Sequence, residues 1–255
     1  MDVALVTGAS SGIGLAIAKR LVEEGYTVYG YSRGNYSPSY CHDRFHLVDC
    51  DVTDTQELLE QTESLIRDAG GLKLLVNNAG IGFFGPHATM APNRIERMVQ
   101  TNLIAPMVLV RATLKHLEKS QGIVINIAST AALTPGAFGA VYGATKAGLH
   151  QFGQALFSEV RRTGVRVVTV YPDMTQTPFY NELDFAPGEE HDTHITPKCV
   201  ADAVIQAADQ RDGTVITQIV IKPQRIKVLH KRPPKGSGCL LYTSPSPRDG
   251  LLYRI

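Results

Sequence analysis

Short apolar runs rich in Val, Ile and Leu recur along the chain, separated by segments with helical periodicity. VALVT (3–7), YTVYGY (26–31), FHLVDC (45–50), LKLLVNN (72–78), GIVINIAS (122–129), VRVVTVYP (165–172) and TVITQIVIK (214–222) read as strands. GIGLAIAKRLVEEG (12–25) reads as a helix with Ile13, Ala16, Ile17 and Leu21 on one face and Gly25 as its stop. TDTQELLEQTESLIRDAG (53–70) reads as another, with Asp54 placed to cap it and Gly70 or Gly71 to end it. Further helical patterns lie near 91–119, 140–163 and 197–210. Strands apolar on both faces that alternate with helices require a parallel sheet covered by helices on each side. Right-handed crossovers then give one α/β, doubly wound domain over residues 1–223, with a sheet of about seven strands.

Charge narrows the partners. The formal charge of +1 conceals an asymmetry, because eight of the 25 Lys/Arg and one of the 24 Asp/Glu fall at or after Lys222. Residues 1–221 therefore carry 17 basic against 23 acidic side chains, a net of −6, which offers no electrostatic footprint for nucleic acid. No run of eighteen apolar residues exists, so no membrane span is expected. Strand-like sequence from Val3 leaves no room for a signal peptide. Cys41, Cys50, Cys199 and Cys239 are scattered, without a C-x-x-C pair. That usage fits reduced thiols and a cytoplasmic location.

Beyond Pro223 the periodicity dissolves into Lys, Arg, Pro and Gly. Residues 224–238 form a basic tail that is either a true C-terminal arm or out-of-frame sequence. From Cys239 the chain reads CLLYTSPSPRD, which resembles the translation of a transposase-type sequencing adapter. Residues 239–255 are therefore excluded from the fold.

The first strand runs into TGASSGIG (7–14) and then directly into a helix. Glycines at 8, 12 and 14 permit a tight turn, a close approach to a pyrophosphate and the packing of helix on strand. The N–H groups at the helix start would face the phosphates. Further along stand NNAG (77–80), Asn102, Ser129 thirteen residues before YGATK (142–146), and Pro172 with Thr177. In these motifs, over about residues 2–223, the chain resembles the short-chain dehydrogenase/reductase family, which implies a Rossmann-type domain and a nicotinamide cofactor.

The resemblance assigns cofactor contacts to Gly8, Ser10, Ser11, Gly12, Ile13 and Gly14, and to Asn78, Ala79 and Gly80 near the adenine ribose. It sets Asp51 and Val52 at the adenine, Pro172 and Thr177 at the nicotinamide, and Tyr142 and Lys146 at its ribose. At the end of the second strand an acidic residue would accept from the 2′-OH of NAD. This chain has Tyr31-Ser32-Arg33 there instead. An arginine matches a 2′-phosphate, with Ser10 and Ser32 adding hydroxyls, so NADP(H) is favoured over NAD(H).

The chemistry rests on Ser129, Tyr142 and Lys146. A free phenol, with pKa about 10, is a poor acid–base catalyst at neutrality. Tyr142 and Lys146 are four residues apart on a helix, so the lysine would draw the phenol downward. Ser129, at a strand's carboxyl end, would hold the substrate oxygen. Asn102 fits the family's fourth catalytic position, holding a water that links Lys146 to solvent, and also reads as an Asn satisfying helix backbone. The expected activity is NADP(H)-dependent interconversion of a small-molecule ketone or aldehyde and its alcohol. The alternatives are a 3-oxoacyl-carrier-protein reductase and a non-catalytic dinucleotide-binding regulator. Membership also implies a homodimer or homotetramer.

One departure stands out. Pro172-Asp173 replaces the family's usual Pro-Gly, so a position expected to need positive φ carries Asp. The irregular segment 178–196 reads as a substrate lid, and Phe83, Phe84, Phe138, Phe179 and Phe185 as candidate lining for an apolar pocket. His191 and His194 read as exposed loop residues rather than a metal site.

Overall fold

A computed structural model describes residues 2–34 and 40–231. The adapter-like segment and the rest of the tail from residue 232 lie outside the described residues. The chain runs β1 (Val3–Thr7), α1 (Gly12–Glu23), β2 (Thr27–Ser32), β3 (Phe45–Asp49), α2 (Thr55–Ala69), β4 (Leu74–Asn77), α3 (Pro92–Val99), α4 (Ala105–Ser120), β5 (Ile123–Ile127), α5 (Ala140–Val160), β6 (Arg166–Pro172), β7 (Phe185–Pro187), α6 (Pro197–Ala208), β8 (Gln218–Ile221) and β9 (Val228–His230). Seven strands form one parallel sheet in the order β3-β2-β1-β4-β5-β6-β8. The reversal of winding between β1 and β4 is the switch point at which such sheets open a crevice.

Alternation along each strand divides the core. Ala4, Val6, Val76, Ile125 and Val168 face α1 and α6, while Leu5, Leu75, Val124 and Val167 face the layer containing α2, α4 and α5. The whole of β1 and β5 is buried, as doubly covered strands require. Local signals fix the helix ends where the sequence expects them. The Asp54 carboxylate accepts from the backbone N–H of Gln56 and Glu57, both at 3.0 Å, and Gly70 closes α2 at φ +77°.

The pattern at 91–119 is one helix by periodicity but two in the structure. A π-turn at Gln100–Ile104 separates α3 from α4. Pro106 has no N–H to return to the carbonyl of Asn102, four residues back, so the regular ladder is broken there. The widened turn buries Asn102 completely.

The basic tail begins as ordered structure. Its strand β9 pairs antiparallel with β7, inside the irregular segment 178–196. Arg225 binds Asp192 through two N–H···O bonds of 2.6 and 2.8 Å, and Lys227 reaches Glu190 at 2.6 Å. The Lys231 ammonium donates to the carbonyls of Tyr180 and Asn181. Residues 225–231 thus form a strap across the segment that follows β6. In a chain ending at Gln224 the sheet is expected to survive, while glutamyl endopeptidase should cut at Glu182, Glu189 or Glu190 at least about 10-fold faster. Equal cleavage rates in the two chains would show that the strap holds nothing.

Candidate active site

Glycine chemistry shapes the first end of the site. Gly8 and Gly12 adopt left-handed φ of +67° and +54° in the turn from β1 to α1. A Cβ on Gly14 would lie 2.2 Å from the Gly8 carbonyl oxygen and 2.4 Å from Asn78 Nδ2, so no other residue fits. The turn after β4 is stitched onto this loop. Asn78 Nδ2 donates to the carbonyls of Thr7 (2.8 Å) and Gly8 (3.3 Å), and Thr7 Oγ1 accepts from the N–H of Asn78 (3.0 Å) and Ala79 (2.9 Å). Ser11 caps α1 without a side-chain bond, so its hydroxyl does not occupy the first helical N–H groups.

Loop and sheet edge enclose a cavity of about 470 Å³. Every sequence-derived cofactor residue lines it except Gly14, which sits behind the loop as its packing glycine. At one rim Ser32 Oγ donates to Ser10 Oγ at 2.6 Å, beside the exposed Arg33, which makes no ion pair with any described residue. Asp51 also lines the cavity, with Oδ1 taken by the Thr53 N–H (2.9 Å) and hydroxyl (2.8 Å).

The other end holds Ser129, Tyr142 and Lys146. Ser129 leaves the end of β5, and its Oγ accepts from the Ala131 N–H at 3.2 Å, capping a short turn. The same hydroxyl lies near enough to the Tyr142 phenol to lower its pKa. Tyr142 and Lys146 share a face of α5, with Lys146 Nζ 5.9 Å from the tyrosine ring centre and donating to the Ile127 carbonyl at 2.9 Å. The sequence-level expectation for their electrostatics needs correction. Burial pushes the Tyr142 phenol up to about 12, opposed by the Ser129 hydroxyl, and pushes Lys146 down to about 8. Desolvation, not attraction to the lysine, sets both directions here.

Asn102 does not line the cavity. From the π-turn its Oδ1 accepts from the Ile81 N–H (2.9 Å), while Nδ2 donates to the Ile81 carbonyl (2.9 Å) and to Thr145 Oγ1 (3.1 Å). It clasps the backbone just after NNAG and ties it to α5 at Thr145, the residue directly before Lys146. The reading as an Asn that satisfies backbone is therefore visible, although the backbone belongs to a neighbouring loop.

Asp173 needs no special conformation. Among the described non-glycine residues only Gln121 and Phe138 have positive φ. The Asp173 N–H donates to the Ile221 carbonyl at 2.9 Å and its Oδ1 accepts from the Met174 N–H at 2.9 Å, so Asp builds the turn with its own carboxylate.

The segment after β6 closes the site. Thr177 lies against the glycine loop, and a Cβ on Gly12 would meet its Cβ and Cγ2 at 3.4 Å. Phe84 stands 5.2 Å from the Tyr142 ring and Phe179 6.0 Å, with Phe185 packed edge-on to Phe84. Two of the five candidate phenylalanines are elsewhere. Phe83 packs under the Arg94 guanidinium, and Phe138 is 59% exposed. His191 is exposed and His194 Nδ1 bonds the Gly188 carbonyl. No described residues form a group of three potential metal ligands.

Sequence reasoning missed Ile81, Thr101, Ile127, Met174 and Tyr180 as cavity residues. Ile81, Thr101, Ile127 and Met174 adjoin or lie within features already singled out, and Tyr180 follows Phe179 in the segment read as a lid, so all were reachable by extension.

Residues 2–186 match the family model described as short chain dehydrogenase. An uncharacterized oxidoreductase of Staphylococcus epidermidis is 33% identical over 226 residues, covering 87% of this chain and 96% of its own length. A metagenomic short-chain oxidoreductase solved in complex with NADP is 31% identical, with a TM-score of 0.72 over 87% of this chain and 97% of that one. An alcohol dehydrogenase of the archaeon Thermococcus sibiricus, complexed with 5-hydroxy-NADP, shares the fold at 22% identity and a TM-score of 0.77, covering 91% and 99% of the two chains. No described helix is long and apolar enough to cross a membrane.

Proposed function

This chain belongs to the short-chain dehydrogenase family, and from that membership we propose that it is an NADP(H)-dependent oxidoreductase interconverting a ketone or aldehyde and its alcohol. The carrying observation is one cavity with a glycine cradle at one end and Ser129, Tyr142 and Lys146 at the other.

The residues present fit a dinucleotide. The cradle is closed to any side chain at Gly14, and the turns at Gly8 and Gly12 need glycine's freedom, as close backbone approach to a pyrophosphate demands. Gly8 to Ile13 would hold the phosphates, Asn78 to Gly80 the adenosine ribose, Asp51 and Val52 the adenine, and Thr177 the carboxamide. When bound, the nicotinamide supplies or accepts the hydride. The chain's own task is the oxygen. Tyr142 Oη donates a proton to the carbonyl oxygen as it becomes an alkoxide, and Ser129 Oγ donates a hydrogen bond to that oxygen. Lys146, charged below about pH 8, adds a positive field that favours the phenolate left behind. Asn102 keeps Ile81 and Thr145 in place, so it acts as a positioning residue.

Arg33 carries the cofactor preference. It is exposed at the rim, without an ion pair among the described residues, beside the Ser10–Ser32 hydroxyl pair. The 31%-identical oxidoreductase was solved with NADP, which supports the same choice. Arg33→Ala should weaken NADPH binding about 10- to 100-fold and leave NADH binding unchanged, measured by titration of cofactor fluorescence. Equal losses for both cofactors would remove the 2′-phosphate assignment. The activity itself is tested by following NADPH absorbance across a panel of ketones and aldehydes; no turnover with any member would overturn it.

A further inference from the structure

The substrate half of the cavity has a composition of its own. Phe84 comes from the loop after β4, and Phe179, Tyr180 and Phe185 come from the segment after β6. Their rings interlock, with Phe84–Phe185 at 5.1 Å, Phe179–Tyr180 at 5.2 Å and Tyr180–Phe185 at 5.8 Å, all edge to face. Gly82 makes room for them, since a Cβ there would sit 2.7 Å from both Phe179 and Phe84. Met174 completes the wall, with its sulfur 3.5 Å from the Tyr180 hydroxyl.

Charge is arranged against an anion. Arg33 and Lys146 are the only cations lining the cavity among the described residues. Arg33 belongs to the opposite rim, and Lys146 is buried against the Ile127 carbonyl. Among the described residues the one carboxylate lining this end is Asp173, beside Tyr180. Burial raises the Tyr180 phenol well above its usual range, followed by the effect of Tyr142, so its hydroxyl stays neutral. Lys231 of the strap does not line the cavity, and it gives two of its three donors to the Tyr180 and Asn181 carbonyls.

We propose that the substrate is a neutral carbonyl compound, or its alcohol, bearing an apolar aryl or alkyl body held by Phe84, Phe179, Tyr180 and Phe185, and carrying no carboxylate, phosphate or ammonium group. Among the described residues no cation of the cavity lining stands among these rings to pair an anionic substituent, and a carboxylate is nearby. An ammonium group would have only Asp173 to pair it, whose Oδ1 already accepts from the Met174 N–H, and would lose its water among the rings. This rests on the carbonyl-reductase reading above and narrows it.

The test compares three compounds of one shape in the full chain: acetophenone, para-acetylbenzoate and para-trimethylammonio-acetophenone. The neutral ketone should show a kcat/KM about 100-fold above either charged analogue. Phe185→Ala, which touches Phe84 and Tyr180 but is not among the catalytic or cofactor residues, should lower that value about 10-fold and leave NADPH affinity unchanged. A charged analogue turned over as well as the neutral one, or a Phe185→Ala enzyme with unaltered kcat/KM, overturns the substrate class. If no compound is reduced while NADPH still binds, the class fails and the dinucleotide reading stands. If NADPH does not bind, the underlying reading has failed.

Discussion

Tyr142→Phe should lower kcat and kcat/KM together by about 10³-fold while leaving the NADPH dissociation constant within about 2-fold. The substitution removes one oxygen atom and keeps the ring, so packing against Phe84 and Phe179 persists. What is lost is the phenol oxygen beside Ser129, which in the proposed mechanism is the donor to the developing alkoxide. An equal fall in kcat and kcat/KM is the signature of an interaction made in the transition state alone. A rise in KM with kcat preserved would mean that Tyr142 only holds substrate. Retention of a tenth or more of the activity would move the proton donor elsewhere, and Tyr180, whose buried hydroxyl faces the same space, would be the residue to examine. Folding should not suffer, because the half-buried ring keeps its place and only the phenol oxygen is removed.

Much of this site is legible in the sequence because its parts are local. The glycine loop, Ser129 at a strand end and the Tyr142–Lys146 spacing each combine a residue type with an element that announces itself through apolar periodicity. Crossover handedness prunes the topologies to a handful, and the strand order itself is seen only in the structure. What resists reading is direction. Phe83 and Phe84 are neighbours, yet one turns to Arg94 and the other to Tyr142, and only the bend of the loop after β4 decides which. The π-turn at Gln100–Ile104 keeps the apolar spacing of a helix, so Asn102 looks solvent-ward or helical until Ile81 is seen across from it. The strap at 225–231 has three-residue pairing with β7 and charges that read as a solvated tail. Asp173 failed as a warning because the expected positive φ belonged to a pattern of other chains, not to this turn. The sign of the Tyr142 shift failed for a related reason. Spacing shows that a cation is near but not how much water both groups lose.

That desolvation makes the second large effect two-sided. Lys146→Met should nearly abolish turnover and yet stabilise the cofactor-free protein at pH 7 by about 2 kcal/mol, a rise in Tm of roughly 4–8 °C. Lys146 is 4% exposed and burial lowers its pKa from 10.5 to about 8. A shift of that size corresponds to a cost of about 3 kcal/mol for holding the charged form in the folded chain, and loss of the bond to the Ile127 carbonyl offsets about 1. The pH dependence carries the sign. Below pH 8 both folded and unfolded chains hold the proton, and the cost is constant. Between about 8 and 10.5 the folded chain has released a proton that the unfolded chain keeps, so this group makes stability climb with pH. The climb should vanish in Lys146→Met, and its advantage over the parent should shrink across that window. Tyr142 acts in the opposite sense at higher pH, since its folded pKa of about 12 gives stability that is present below 10 and lost as pH rises toward 12. Thermal unfolding of both proteins at intervals from pH 6.5 to 10.5 reads the difference directly. A Lys146→Met protein that melts lower than its parent at pH 7 would mean that the ammonium's bond to Ile127 outweighs its burial, making Lys146 a structural clamp. A higher melting point with lost turnover would mark a charge kept in the fold at a cost in stability, because the reaction at Tyr142 requires it.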